Sequence, residues 1–594
     1  MLIDQHIVAI MDESKPRSIS ETPTKAEVEF EYQENSPSSD AGDTAEKFAL
    51  DANVIGNLFA LALTVSAGGW TNIIPQTSIP FIAQRFPEGA GQSAWIATAS
   101  LVVSAVVQCF VGDLAGVFGR RGFLFFGCAC GIAGQLLGGL ATSITMLIGG
   151  QVLNGLSVAS MFLASPLIQE IVPKKHRAVA VACSTIVSTV SYIGGPIIQG
   201  VLIEKKIGGA LDGWRVGFYI GAGYWAAAGV CLALLYHPQA RLRAEGTSVI
   251  HRLCGLDWCG IFLVSLGITL FLVGLNYGDN PYPWTSARVL GCLIPGIALC
   301  IAFGLWEWKG TAHGILPHRL FGDRNYPLAI CVRIVGGIAL LGSQAYLPQI
   351  AVNVFGTGGL ETSVWQLPLL ISSALGSLLA AGLMRLFSSQ LRWVLFGLMC
   401  AMILGGGLML AIKPGISFAA WFFPSVIMGL PVGAEALLLT VLTGYFVPDD
   451  LIATGVCLAN SATLLGGAVA VIIYSTVFNS KIRTRLPADI SDATLEAGLP
   501  PSSLADFLTA WLTSGGNAAA VGTIPGTTPD VLAAAQEAAK TAYSESYHYI
   551  WYILLAFSAV CSVLALLFTS TEKHMTDEVT APVQKREENG GDTV

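Results

Sequence analysis

Between Asn53 and Thr569 the chain repeats one pattern fourteen times: about twenty mostly apolar residues, then a short polar stretch. A helix rising 1.5 Å per residue needs roughly twenty apolar residues to cross about 30 Å of hydrocarbon. The pattern predicts an all-α polytopic membrane protein. Its spans fall near 53–73, 94–112, 123–142, 145–168, 180–203, 216–236, 259–276, 288–308, 328–350, 363–386, 392–412, 418–446, 452–478 and 549–569. Glycines lie inside these runs, as at Gly131, Gly134, Gly138 and Gly139. Small residues let helices in lipid approach closely, which predicts tight helix contacts.

Composition agrees, with 53% hydrophobic and only 12% charged residues. Fourteen spans place both tails on one side, and loop charge selects the side. With the tails inside, the short inner loops carry thirteen Lys and Arg, among them Arg120, Arg121, Lys174, Lys175, Arg177, Arg241, Arg243 and Arg252. The short outer loops carry six: Arg85, Lys205, Lys206, Arg215, Arg288 and Lys413. Both termini are therefore expected in the cytoplasm, most simply at the plasma membrane, with vacuolar and vesicle membranes left open.

Residues 1–50 and 571–594 are rich in charged and small polar residues and are expected to be disordered. The first stretch lacks an apolar core and is not expected to act as a signal peptide. The tails hold eleven acids with four bases and six acids with three, so they account for −10 of the −8 net charge. The remainder, near +2, carries no nucleic-acid footprint. Thirteen cysteines fall mostly within spans and make no CxxC pair, which reads as small buried hydrophobes rather than a metal or redox site. No P-loop, GxSxG or HExxH stands between the spans. The expectation is therefore no enzyme, no metal and no cofactor. A secondary transporter fits best, ahead of a channel or an intramembrane enzyme.

After the second span comes Gly112-Asp113-Leu114-Ala115-Gly116-Val117-Phe118-Gly119-Arg120-Arg121. It resembles the signature loop of the major facilitator superfamily, roughly GxLaDrxGRk. The family's acidic residue falls at Gly116 here. Asp113, three residues earlier on nearly the same helical face, can stand in for it or simply meet solvent at the helix end. The fifth span holds Ser191-Tyr192-Ile193-Gly194-Gly195-Pro196-Ile197-Ile198-Gln199-Gly200, similar to the pattern of the superfamily's proton-coupled exporters, with Gln199 replacing a glycine. A plain glycine packing seam is the alternative reading. Glu170-Ile171-Val172-Pro173 through Arg177, and Gly213-Trp214-Arg215-Val216-Gly217-Phe218-Tyr219, match further superfamily loops. Asn154-Gly155-Leu156, Leu256-Asp257-Trp258, Tyr282-Pro283-Trp284 and Val447 to Thr454 narrow the resemblance to the fungal trichothecene-efflux branch of fourteen-span drug:proton antiporters.

That resemblance implies two six-helix bundles with two inserted linker spans. The expected division is 51–236 for the N-terminal bundle, 237–308 for linker spans seven and eight, and 309–570 for the C-terminal bundle. The last includes a long outer loop, 481–548, in which Asp530–Tyr547 is expected to be helical. Gly112, Gly119, Arg120, Arg121, Glu170, Arg177, Gly195, Pro196 and Gly200 are then gating residues. The superfamily's usual span-four arginine is replaced at about its place by Gln151, which shifts proton coupling toward Glu435 and Asp113.

Ionisable groups inside lipid are functional candidates, because an unpaired charge there is expensive. Glu435 lies mid-span and cannot snorkel, whereas Arg333 could reach the cytoplasmic face. Asn72, Gln108, Gln151, Asn154, Tyr192, Gln344, Tyr346 and Trp365 are candidates to line a cavity, though interhelical hydrogen bonding explains any one of them equally well. Few fixed charges favour a hydrophobic small-molecule cargo. The predicted function is its export in exchange for protons by alternating access, by a chain working as a monomer. A proton-coupled importer, such as one for iron–siderophore complexes, and a non-transporting receptor remain alternatives.

Overall fold

Apolar on every face, the predicted spans become helices whose backbone groups are satisfied internally, as lipid requires. The computed structural model describes residues 51–86, 92, 94–173, 176–209, 211–237, 253–278, 282–311, 314–448, 451–514 and 521–569. The tails, Lys174, Lys175, and the stretch holding Arg241, Arg243 and Arg252 lie outside the described residues. Among the described residues thirteen helices are long and apolar enough to span a membrane, and a bent helix pair, counted as one span, would make fourteen.

The first half comprises α1 (Ala52–Arg85), α2 (Ala94–Gln108), α3 (Val111–Phe118), α4 (Arg120–Gly139), α5 (Ile144–Ile171), α6 (Arg177–Glu204) and α7 (Trp214–Leu235). The expected second span is not straight: α2 and α3 meet at a 65° bend. Two contracted turns make the break, with Cys109 and Phe110 N–H donating to the Val106 and Val107 carbonyls. Gly119, at φ +85°, then turns the chain into α4 in a region that favours glycine.

Next come α8 (Trp258–Tyr277) and α9 (Ala287–Leu305), packed on one another. The second half comprises α10 (Asn325–Phe355), α11 (Gly359–Leu386), α12 (Leu391–Met409), α13 (Phe418–Tyr445), α14 (Ile452–Glu496), α15 (Leu504–Ser514) and α16 (Pro529–Leu566). Side-chain oxygens of Ser143, Asp257, Ser286, Ser417 and Thr528 cap helix N-termini.

Six spans pack together in each half, and the halves meet chiefly along α6–α11 and α2–α14, with α8 against α2 and α14. Glycine sets the helix spacing in the second half. A Cβ at Gly376 of α11 or Gly433 of α13 would run into the facing main-chain carbonyl, of Leu430 or Ser373 respectively. Gly337 of α10 and Gly466 of α14 repeat the arrangement against Thr463 and Ile334.

The 481–548 segment differs from an open loop. α14 runs unbroken to Glu496, 45 residues in all, and α16 begins at Pro529 and continues through the last span. At 1.5 Å per residue α14 reaches about 68 Å, roughly twice the hydrocarbon thickness. The extensions hold an apolar core of their own, in which Ile490, Phe507, Val531 and Ala535 are fully buried. Apolar residues recur at helical spacing beyond the membrane length, so the helices continue.

Candidate functional site

Between the halves lies a cavity of about 250 Å³. From the first half it is lined by Val65 and Asn72 of α1, Met161 and Phe162 of α5, and a row of α6 side chains from Val181 to Tyr192. From the second half come Arg333, Gly336 and Gln344 of α10, Ser373 and Ser377 of α11, Glu435 and Thr440 of α13, and Asn460 and Thr463 of α14. The wall is largely apolar with small hydroxyls. Among these lining residues Arg333 and Glu435 are the only Asp, Glu, Lys, Arg or His.

Glu435 is 3% exposed, and its carboxylate lies against the backbone of Gly336. Among the described residues that carboxylate has no hydrogen-bonding partner, and the Arg333 charge acts on it without forming an ion pair. Arg333 is buried and does not snorkel. Its Nε donates to the Ala459 carbonyl and the Thr463 hydroxyl, both at 3.0 Å, and Nη1 donates to the Thr440 hydroxyl at 2.7 Å. Nη2 donates to Asn460 Oδ1. These acceptors on α13 and α14 replace water, so the guanidinium has no need to reach the membrane surface.

At one end of the interface the signature loop packs on α14. A Cβ on Gly112 would sit 2.8 Å from the Thr454 Cα of α14, and the Asp113 carboxylate lies beside the Thr454 hydroxyl. Arg120 donates from Nη2 to Glu170 Oε1 at 2.7 Å, an ion pair within the first half. Beside it, Gln169 donates to the Thr440 carbonyl at 3.3 Å and Arg177 to the Gly444 carbonyl at 3.4 Å, both across the interface. The Arg177 guanidinium also sits 5.9 Å from the Tyr445 ring centre. Arg121 turns away and donates to the Ala233 carbonyl of α7. At the other end Ser363 of α11 donates to the Pro196 carbonyl at 2.7 Å. Gly200 meets Gly359, whose carbonyl would lie 2.7 Å from a Cβ there. Leu360 N–H donates to Glu204 at 3.2 Å. Gly195 instead packs on Ile73 and Trp70 of α1.

Of the polar residues singled out by sequence, Asn72, Tyr192 and Gln344 lie on the cavity wall. Gln108 donates to the Ala159 carbonyl, and Asn154 donates to Gln151 at 3.4 Å, in the seam between α5 and its neighbours. Tyr346 sits in an aromatic cluster with Tyr474, Phe478 and Tyr547, and Trp365 stacks on Phe355 at 4.2 Å. These five are outside the cavity lining. Sequence reading passed over Ser184, Thr185, Ser188 and Thr189. Their signal was present as paired hydroxyls every four residues, in line with Tyr192 on one helical face.

A sequence profile described as "Fungal trichothecene efflux pump (TRI12)" matches residues 33–594. The chain belongs to that family. This efflux-pump chain is 26% identical to "Efflux pump dotC" of Dothistroma septosporum (strain NZE10 / CBS 128990), over 88% of its own length and 85% of the relative's. It is 24% identical to "Trichothecene efflux pump TRI12" of Fusarium sporotrichioides, over 89% and 86%. It is 27% identical to "Rubrofusarin-specific efflux pump aurT" of Gibberella zeae, over 74% and 78%. Among solved structures it resembles a bacterial homolog of the human lysosomal transporter Spinster, with TM-score 0.53 and 15% identity over 87% of this chain and 96% of that one. The proton:xylose symporter XylE matches with TM-score 0.51 and 13% identity, over 88% and 98%. The fold is that of the major facilitator superfamily, and the efflux-pump chain is a multi-span membrane transporter of small molecules.

Proposed function

We propose that this efflux-pump chain exchanges protons for hydrophobic organic molecules, exporting them by alternating access. The observation that carries the reading is the Glu435 carboxyl, buried on the cavity wall between the halves, with no hydrogen-bond donor among the described residues. A group so placed can take a proton when the cavity faces one side and release it when the cavity faces the other, because desolvation penalises its charged form. Asp113, against Thr454 at the gate, is the second candidate for coupling. The contacts across the interface at Gly112 and Arg177, and at Pro196 and Gly200, act as the two gates, with the Arg120–Glu170 pair and the packing of Gly195 shaping them from within the first half. Each gate breaks and reforms as the bundles rock.

The bundles are assigned to 51–236 and 309–570, with 237–308 as inserted spans. Both tails are assigned to the cytoplasm, the chain to the plasma membrane, and the working unit to a monomer. The test is cargo efflux from proteoliposomes with and without an imposed pH gradient. Glu435→Gln keeps size and polarity but cannot cycle a proton. It is expected to bind cargo and to lose gradient-driven accumulation, and full gradient-driven activity would move the proton to Asp113.

A further inference from the structure

The cavity wall supplied by α6 is a double row of hydroxyls, Ser184 with Ser188 and Thr185 with Thr189. Ser184 and Thr185 both donate to the Val181 carbonyl, at 2.8 and 3.0 Å. Ser188 and Thr189 both donate to the Thr185 carbonyl at 2.8 Å. A hydroxyl bonded back to its own helix has its single proton engaged, while its oxygen lone pairs stay open. Elsewhere on the wall Ser377 donates to the Gly433 carbonyl of α13 at 3.0 Å, whereas the Thr440 hydroxyl, which donates to the Ala436 carbonyl at 2.7 Å, already accepts from Arg333. Glu435 lines the same wall, and it accepts only while ionised and donates when it carries its proton.

Donors on the wall are fewer. Arg333 directs its N–H groups into α13 and α14. The amides of Asn72 and Gln344 donate and accept alike. Among the described residues the Asn460 amide nitrogen and the Ser165 hydroxyl on this wall are left without a partner. The Ser165 and Tyr192 hydroxyls can donate and accept alike, so of these only the Asn460 amide nitrogen is a donor alone. Polar capacity in this cavity is thus weighted toward acceptors.

We propose that the cavity selects hydrophobic molecules carrying free hydroxyl groups over the same molecules with those hydroxyls O-alkylated. The hydroxyl protons go to the α6 oxygens. An ether has no proton to give, and it leaves the buried acceptors unpaired. At about 250 Å³ the cavity is at the small end of ligand sites, which suits compact fused rings. The proposal rests on this cavity being the cargo site of the exporter.

The experiment measures binding of tritiated 1-naphthol and tritiated 1-methoxynaphthalene to the full chain in lipid nanodiscs at pH 7. No gradient is applied, and uptake by empty discs is subtracted. Naphthol is expected to bind roughly tenfold tighter, about the effect of one good hydrogen bond. Replacing the rows together (Ser184→Ala, Thr185→Val, Ser188→Ala, Thr189→Val) is expected to cut that preference below about twofold, with ether binding unchanged. Ser188→Ala alone is expected to lower it in the same direction and serves if the fourfold variant fails to fold. Equal affinities, a tighter ether, saturable binding of neither compound, or a preference untouched in the folded variants overturns the proposal. Because no gradient enters, such a failure leaves proton-driven export standing, and loss of that reading leaves the preference measurable.

Discussion

The Glu435 carboxylate lies directly over the Cα of Gly336, so that a β-carbon on residue 336 would occupy the space of both carboxylate oxygens. Glycine at this point of α10 is what allows a charged group of α13 to reach the cavity wall. Gly336→Ala is expected to leave a folded protein, because the obstructed atoms are the end of a flexible side chain. It is expected to lower gradient-driven efflux by roughly tenfold or more, since displacement by about an ångström is costly at a working group. Efflux from proteoliposomes beside a thermal unfolding curve checks both halves of that statement.

Arg333 holds α10 to α13 and α14 through acceptors on Thr440, Ala459, Asn460 and Thr463. Arg333→Met leaves those buried acceptors unmatched and is expected to destabilise the fold by on the order of 3 kcal/mol. Arg333→Lys should fall between the two, because one ammonium cannot serve all of the acceptors. Unfolding followed by tryptophan fluorescence in nanodiscs would show the order.

Gly112 and Gly200 should bias the protein in opposite directions. Bulk at Gly112 presses on the Thr454 backbone at one end of the interface, and bulk at Gly200 presses on Gly359 and Leu360 at the other. Gly112→Leu is expected to open the cavity toward the signature-loop side, and Gly200→Leu toward the opposite side. A cysteine placed at Ser188, in a background without accessible cysteines, reports this through labelling by an impermeant maleimide from each side. Identical labelling in both variants would reduce these glycines to packing residues.

Outside the membrane, Asp212 is held below the usual carboxylate range by its hydrogen bond from Arg215, at 2.8 Å, and by Arg85, at 3.3 Å. A carboxyl whose folded value is depressed stabilises the fold above its unfolded value, near 3.9, and loses that contribution as pH falls through the folded value. Asp212→Asn should therefore cost less than about 1 kcal/mol at pH 7, given how exposed the cluster is. The gap from the unsubstituted protein should close as pH drops below about 4. Unfolding curves at pH 7 and pH 3 test the sign.

Sequence alone determined the spans, because a helix in lipid must be apolar for its full crossing length and that requirement is written residue by residue. The motif residues were legible for the same reason: Gly119 and Arg120 fit a local turn and its boundary charge. Glu435 stood out because a lone acid in an apolar run has no local explanation. Only the tertiary structure decided which polar side chains share a space. Tyr192 and Trp365 look alike as aromatic residues within spans, yet one lines the cavity and the other stacks on Phe355. Arg333 looked free to snorkel until α13 and α14 supplied its acceptors from more than a hundred residues away. The 65° bend at Cys109 and Phe110 likewise has no proline in the sequence to announce it. Hydropathy fixes a helix's depth in the membrane, but its rotation and partners follow from packing between distant segments, which no local pattern encodes.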